Sequence, residues 1–141
     1  MRRSACFGLG LLAALCAGAT TASAQYAYLG GLYTSPVIEL RIMVLDGESG
    51  DVAWDSSIGT RGCGGGASGV GLIVHGKLQL KPYKPPPEAG SCVITVTFDD
   101  IRRQGGPQSA TLQEQGCGYY HGASCAWEGV VRRKSGSSNL N

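Results

Sequence analysis

Residues that carry chemistry are scarce in this 141-residue chain. Histidine occurs twice, at His75 and His121, and charged side chains make up 16% of residues. Twelve Lys and Arg stand against ten Asp and Glu, so the strongly basic footprint of a nucleic-acid binder is missing. No G-x-S-x-G elbow occurs, which removes the commonest signature of a serine hydrolase. No apolar run reaches the ~20 residues a membrane-spanning helix needs. After residue 24 there is no sustained 3.6-residue apolar period, so a helical core is not expected. Aromatics are few as well (7%), which marks Trp54 and Trp127 as core anchors.

What is present begins with a leader. Arg2 and Arg3 precede an apolar stretch from Phe7 to Ala19, and Ala22-Ser23-Ala24 offers small residues for cleavage before Gln25. Residues 1–24 therefore read as a signal peptide. A lipid-anchored reading through Cys16 is disfavoured by Leu15 before it. Cleavage would remove Cys6 and Cys16, leaving Cys63, Cys92, Cys117 and Cys125, and would remove two arginines, leaving a formally neutral chain of 117 residues. That length is one domain, expected over 25–134, with a flexible tail at 135–141. Arg132, Arg133 and Lys134 read as a solvated cluster near that tail. The expected location is secreted or periplasmic, and a monomer is expected.

Short alternating runs separated by glycine-rich turns predict strands at Tyr26–Tyr33, Val37–Leu45, Asp51–Ser57, Val70–Lys81, Cys92–Asp99, Ser109–Gln115 and Ala126–Arg133. In the fourth, Leu72, Val74, Leu78 and Leu80 are expected to share one face. Gly59–Gly71 reads as a loop or a short irregular strand. Pro85-Pro86-Pro87 cannot continue a ladder and reads as an extended connection. The fold class is all-β: a small, disulfide-braced antiparallel barrel or sandwich of seven to eight short strands, with the barrel preferred because it leaves no open sheet edge.

Four cysteines in an exported chain predict two disulfides. The favoured pairing is Cys63–Cys92 with Cys117–Cys125, the second closing a short local loop. The alternative joins Cys92 to Cys117 across the hairpin around Arg103 and leaves Cys63 for Cys125.

Candidate chemistry is thin. Gly64–Gly69 has dinucleotide-fingerprint spacing, but a β pattern follows it instead of a helix. Gly71–Lys77 resembles a phosphate loop without its Ser or Thr. Asp46, Glu48 and Asp51 lack calcium-loop spacing, and Asp99 and Asp100 point to opposite faces of a strand. No cofactor, no metal and no enzymatic activity is expected. The distinctive segment is Gly116–Gly129, where Tyr119, Tyr120 and His121 sit between Cys117 and Cys125. Tyrosines in a pinned loop present large contact area at low entropic cost.

This segment resembles the ending of small exported bacterial proteins of uncharacterised function: a Gly-Cys pair, a short loop, Gly-Ala, then Cys, an aromatic and Gly. The resemblance brings no activity with it. The expected architecture is also similar to that of periplasmic lysozyme inhibitors, although their signature motifs are missing and no inhibitory residue carries over. The expected function is a non-enzymatic exported domain that binds an envelope or extracellular protein, an inhibitor of a cell-wall hydrolase being one concrete version. The alternative is a structural or envelope-stress protein with no discrete site.

Overall fold

A computed structural model describes residues 24–135. The expected signal peptide and tail lie outside the described residues, apart from Ala24 and Ser135. Eight strands, β1 (Gly31–Thr34), β2 (Ile38–Asp46), β3 (Asp51–Thr60), β4 (Cys63–Val74), β5 (Lys77–Pro82), β6 (Val93–Phe98), β7 (Ser109–Gln115) and β8 (Gly129–Arg133), form an all-β closed barrel. Each pairs antiparallel with its sequence neighbours, and β1 meets β8 through Tyr33↔Arg133 and Thr34↔Arg132. Short connections and twist make this up-and-down closure the direct solution for eight consecutive alternating segments.

Alternation sorts the side chains. Ile38, Leu40 and Ile42 of β2 point inward while Glu39, Arg41 and Met43 face out. Val52, Trp54, Ser56 and Ile58 of β3, Leu78 and Leu80 of β5, and Ile94, Val96 and Phe98 of β6 fill the interior with Ala110, Leu112 and Val131. Trp54 Nε1 donates to the Val70 and Lys81 carbonyls at 3.2 and 3.3 Å.

Several strand boundaries differ from the sequence expectation; β3 runs on to Thr60, and the last strand begins at Gly129, not Ala126, so Trp127 lies in the connection before it. Residues 25–28 form a turn, so the first strand is only Gly31–Thr34. Tyr26 and Leu29 instead bury themselves at the lower barrel mouth. There Arg133 is engaged and not part of a solvated cluster: Nη1 donates to Tyr28 O (2.9 Å) and Tyr33 Oη (3.3 Å), and Nη2 to Gly30 O. Burial pushes the Tyr33 hydroxyl pKa up to about 12, with Arg133 opposing.

Val70–Lys81 is not one strand. His75 and Gly76 both adopt positive φ (49° and 75°) between the paired residues Val74 and Lys77, a two-residue hairpin turn of primed type. That reversal pairs Leu72 with Gln79 and Val74 with Lys77 on the outer face and Ile73 with Leu78 on the inner one, so Leu72 and Val74 do not join Leu78 and Leu80.

Gly59–Gly71 is neither a loop nor a short irregular strand; most of it is β4, at 12 residues the longest strand among the described residues, with a turn only at residues 61–62. The alternating burial of β4 places Gly65, Ala67, Gly69 and Gly71 on its inner side. A Cβ on Gly71 would meet Leu80 Cδ2 at 2.6 Å and Val52 Cγ2 at 3.1 Å. The glycines leave room for the larger side chains of the neighbouring strands.

The disulfides are Cys63–Cys125 and Cys92–Cys117, which corrects the favoured pairing. The cause is register. Val93 pairs with Gln115 at the end of the β6–β7 ladder, so Cys92, one residue beyond it, and Cys117, two residues beyond it, are brought together with Cα atoms 4.5 Å apart. Cys125 is carried across the barrel mouth to the start of β4.

Candidate functional site

The upper mouth is covered by two connections, residues 83–92 and 116–128, each with a short 3₁₀ turn, Pro87–Ala89 and Gly118–Tyr120. The second carries all three expected contact residues. Its ends are fastened to different parts of the barrel, Cys117 to the start of β6 and Cys125 to the start of β4. Between them His121 makes an isolated antiparallel bridge to Gly65. A side chain at Gly65 would collide with the Tyr120 carbonyl and the His121 backbone, so glycine is required for this close approach.

The structure gives the three residues different surroundings. Tyr119 is 53% exposed. Tyr120 is half-buried, packs against the core, and its ring meets that of Tyr119 edge-on at 5.3 Å. Its hydroxyl is buried and forms no hydrogen bond among the described residues. His121 is turned inward, with 6% of its side chain exposed.

His121 meets a residue that sequence reasoning passed over. Glu114 continues the inward series Ala110, Leu112, Glu114 on β7, so its carboxylate points into the upper mouth. His121 Nε2 lies 2.9 and 3.0 Å from the two Glu114 oxygens, and Nδ1 lies 2.7 Å from the Gly122 carbonyl. Both ring nitrogens face acceptors, an arrangement only the imidazolium satisfies. Desolvation pulls its pKa down, but the Gly122 carbonyl and the Glu114 carboxylate outweigh it, and the net shift is upward. Glu114 Oε2 also accepts from the Trp127 backbone N–H at 2.8 Å.

Trp127 completes the plug. It is fully buried, its ring stands edge-on to His121 at 5.2 Å, and Nε1 donates to Ser56 Oγ at 2.9 Å. Ser56 Oγ in turn donates to the Glu39 carbonyl at 2.7 Å. Trp127 thus joins two hydrogen-bonded groups beneath the loop, His121 and Glu114 through its backbone N–H and Ser56 and Glu39 through its indole. The alternation of β7 could have flagged Glu114, an acid at an inward position.

No protein-family model matches the chain, and no curated protein or solved structure matches it. The site is therefore read from its own geometry. Cys63, Cys125 and His121 offer atoms within 4.8 Å of one another, but the two sulfurs are bonded together and not free as ligands. His75 is remote. It follows the end of β4 whereas His121 bridges Gly65 near its start, a separation of ten residues or roughly 33 Å along a strand. The two histidines cannot act on one substrate. Asp99 and Asp100 hold the β6–β7 loop, Asp99 Oδ1 accepting from Gln108 N and Ser109 N at 3.0 and 3.2 Å. Asp46 Oδ1 caps its turn by accepting from Glu48 N at 2.8 Å. An open groove of about 540 Å³ runs outside β6 and β7 and is lined by Thr95, Thr111, Gln113, Gln115 and Glu128. Two disulfides suit an oxidising, non-cytoplasmic environment. Among the described residues, no helix is long and apolar enough to cross a membrane.

Proposed function

We propose that this chain is an exported, non-enzymatic binding module that takes a protein partner of the cell envelope or extracellular space at the upper barrel mouth, as hydrolase inhibitors do. One observation carries the reading: Tyr119 stands 53% exposed on a loop cross-linked to the barrel at both ends. The ring of Tyr120 packs edge-on against it at 5.3 Å. A rigid aromatic displayed this way loses little entropy on binding. Export is supported by the leader-like residues 1–24 and by the disulfides.

The test is photo-crosslinking from position 119 in an exporting host, followed by affinity measurement with the purified partner. Tyr119→Ala should weaken that pair by about 30-fold, the value of a ~2 kcal/mol anchor. Tyr28→Ala, 44% exposed at the opposite mouth, should leave it unchanged. Equal affinities for wild type and Tyr119→Ala would return the chain to the second reading, a structural envelope protein, which the internal use of Tyr120 and His121 favours.

A further inference from the structure

The two disulfides differ in ways that bear on their chemistry. Cys92 and Cys117 are 5% and 1% exposed, sealed against the core. In the other pair Cys63 is buried at 8%, whereas Cys125 is half-buried among the exposed residues 122–124. A ring nitrogen of His121 lies within 4.8 Å of both sulfurs of this pair, and the ring is held as a cation by acceptors at both nitrogens. The Gly122 carbonyl stands 3.2 Å from Cys63 Sγ.

We infer that Cys63–Cys125 is a thiol–disulfide exchange site whose co-reactant is a dithiol, with Cys125 as the sulfur attacked and Cys63 as the leaving group. A thiolate of the dithiol forms a bond to Cys125 Sγ, the Cys63–Cys125 bond breaks, and its electron pair leaves on Cys63. The neighbouring imidazolium stabilises that thiolate, and a lower-pKa leaving group departs faster. Cys63 then takes a proton from water, and its S–H has the Gly122 carbonyl as a ready acceptor. The second thiol of the reductant attacks the mixed disulfide, Cys125 leaves and is protonated, and the dithiol ends as a disulfide. Two electrons and two protons pass to the protein.

Reduction unfastens one end of the loop that carries Tyr119 while Cys92–Cys117 keeps the other. The exchange site thereby makes loop order depend on the thiol poise of the surroundings. If Tyr119 anchors a partner, reduction weakens that contact. The exchange itself does not rest on the binding reading, and its test uses no partner.

The oxidised protein, purified from an exporting host, is exposed under native conditions to rising dithiothreitol, quenched with an alkylating reagent and peptide-mapped. Cys63 and Cys125 should become labelled roughly tenfold faster than Cys92 and Cys117. With glutathione, a monothiol, the trapped adduct should sit on Cys125. His121→Gln, confirmed as folded by its melting curve, should open this disulfide several-fold more slowly. Simultaneous reduction of both disulfides, or an adduct on Cys63, overturns the assignment. An unslowed His121→Gln protein overturns the role given to the imidazolium.

Discussion

Replacing Glu114 tests the interior of the candidate site most directly. Its side chain is 11% exposed and its carboxylate accepts from two donors, His121 Nε2 at 2.9 and 3.0 Å from the two oxygens and Trp127 N at 2.8 Å. Glu114→Ala leaves an imidazolium and a buried N–H without their acceptor. Removing one partner of a buried pair costs about 3–5 kcal/mol, and at about 4 °C per kcal/mol for a domain of this size the melting point should fall by about 12–20 °C. Glu114→Gln keeps the volume but offers one carbonyl oxygen for two donors. His121 can answer by giving up its Nε2 proton and accepting from the new amide, so the loss should be smaller, about 1.5–3 kcal/mol.

The same substitution should remove a pH dependence. The folded pKa of His121 is raised above its ordinary value near 6.5. Its stabilisation is therefore complete below about pH 6.5 and is lost as pH rises through the folded pKa, with a slope of at most ~1.4 kcal/mol per pH unit. Urea unfolding of the disulfide-intact protein, followed by tryptophan fluorescence from pH 5 to pH 9, reads both effects. Other titrating groups cancel in the difference between wild type and Glu114→Gln. That difference should shrink toward high pH. A constant difference, or one below ~0.5 kcal/mol throughout, would refute the ion-paired clamp.

Three further outcomes are expected. Tyr120→Phe removes a buried hydroxyl that has no partner among the described residues and should raise stability by about 1 kcal/mol; a loss of that size by thermal melting would mean the hydroxyl is bonded in solution. Removing Cys63–Cys125, which closes 62 residues, should cost about 4 kcal/mol, against about 3.5 for Cys92–Cys117, which closes 25; chemical denaturation of the two double-alanine variants gives the order. At Asp99, desolvation raises the pKa, but N–H donors from Ser109, Asp100 and Gln108 and the charge of Arg103 outweigh it and lower it. Its contribution is present above pH ~4 and lost as pH falls through the folded value, so Asp99→Asn should flatten the acid limb of the stability curve.

Much of this protein was determined by local sequence pattern. Period-two alternation in 38–44 and 94–98 and glycine or proline between runs specify strands and turns, because side-chain direction in a strand depends only on residue parity. The even cysteine count specified two bridges in the same local way. Parity also placed Glu114 inward beside Ala110 and Leu112, although nothing local announced its partner seven residues on. Tertiary structure decided the rest. The glycine-rich first part of β4 read as a loop or a short irregular strand because glycine has weak strand preference on its own; inside a closed barrel, its missing side chains are what Val52, Leu80 and the His121 backbone require. The favoured local bridge Cys117–Cys125 lost to Cys63–Cys125 because the loop strides across the mouth, where closure brings residues 62 apart to a Cα distance of 5.9 Å. The difference among Tyr119, Tyr120 and His121 has the same origin: three adjacent residues of one segment were parted only when Glu114, Trp127 and Gly65 were assembled beneath it.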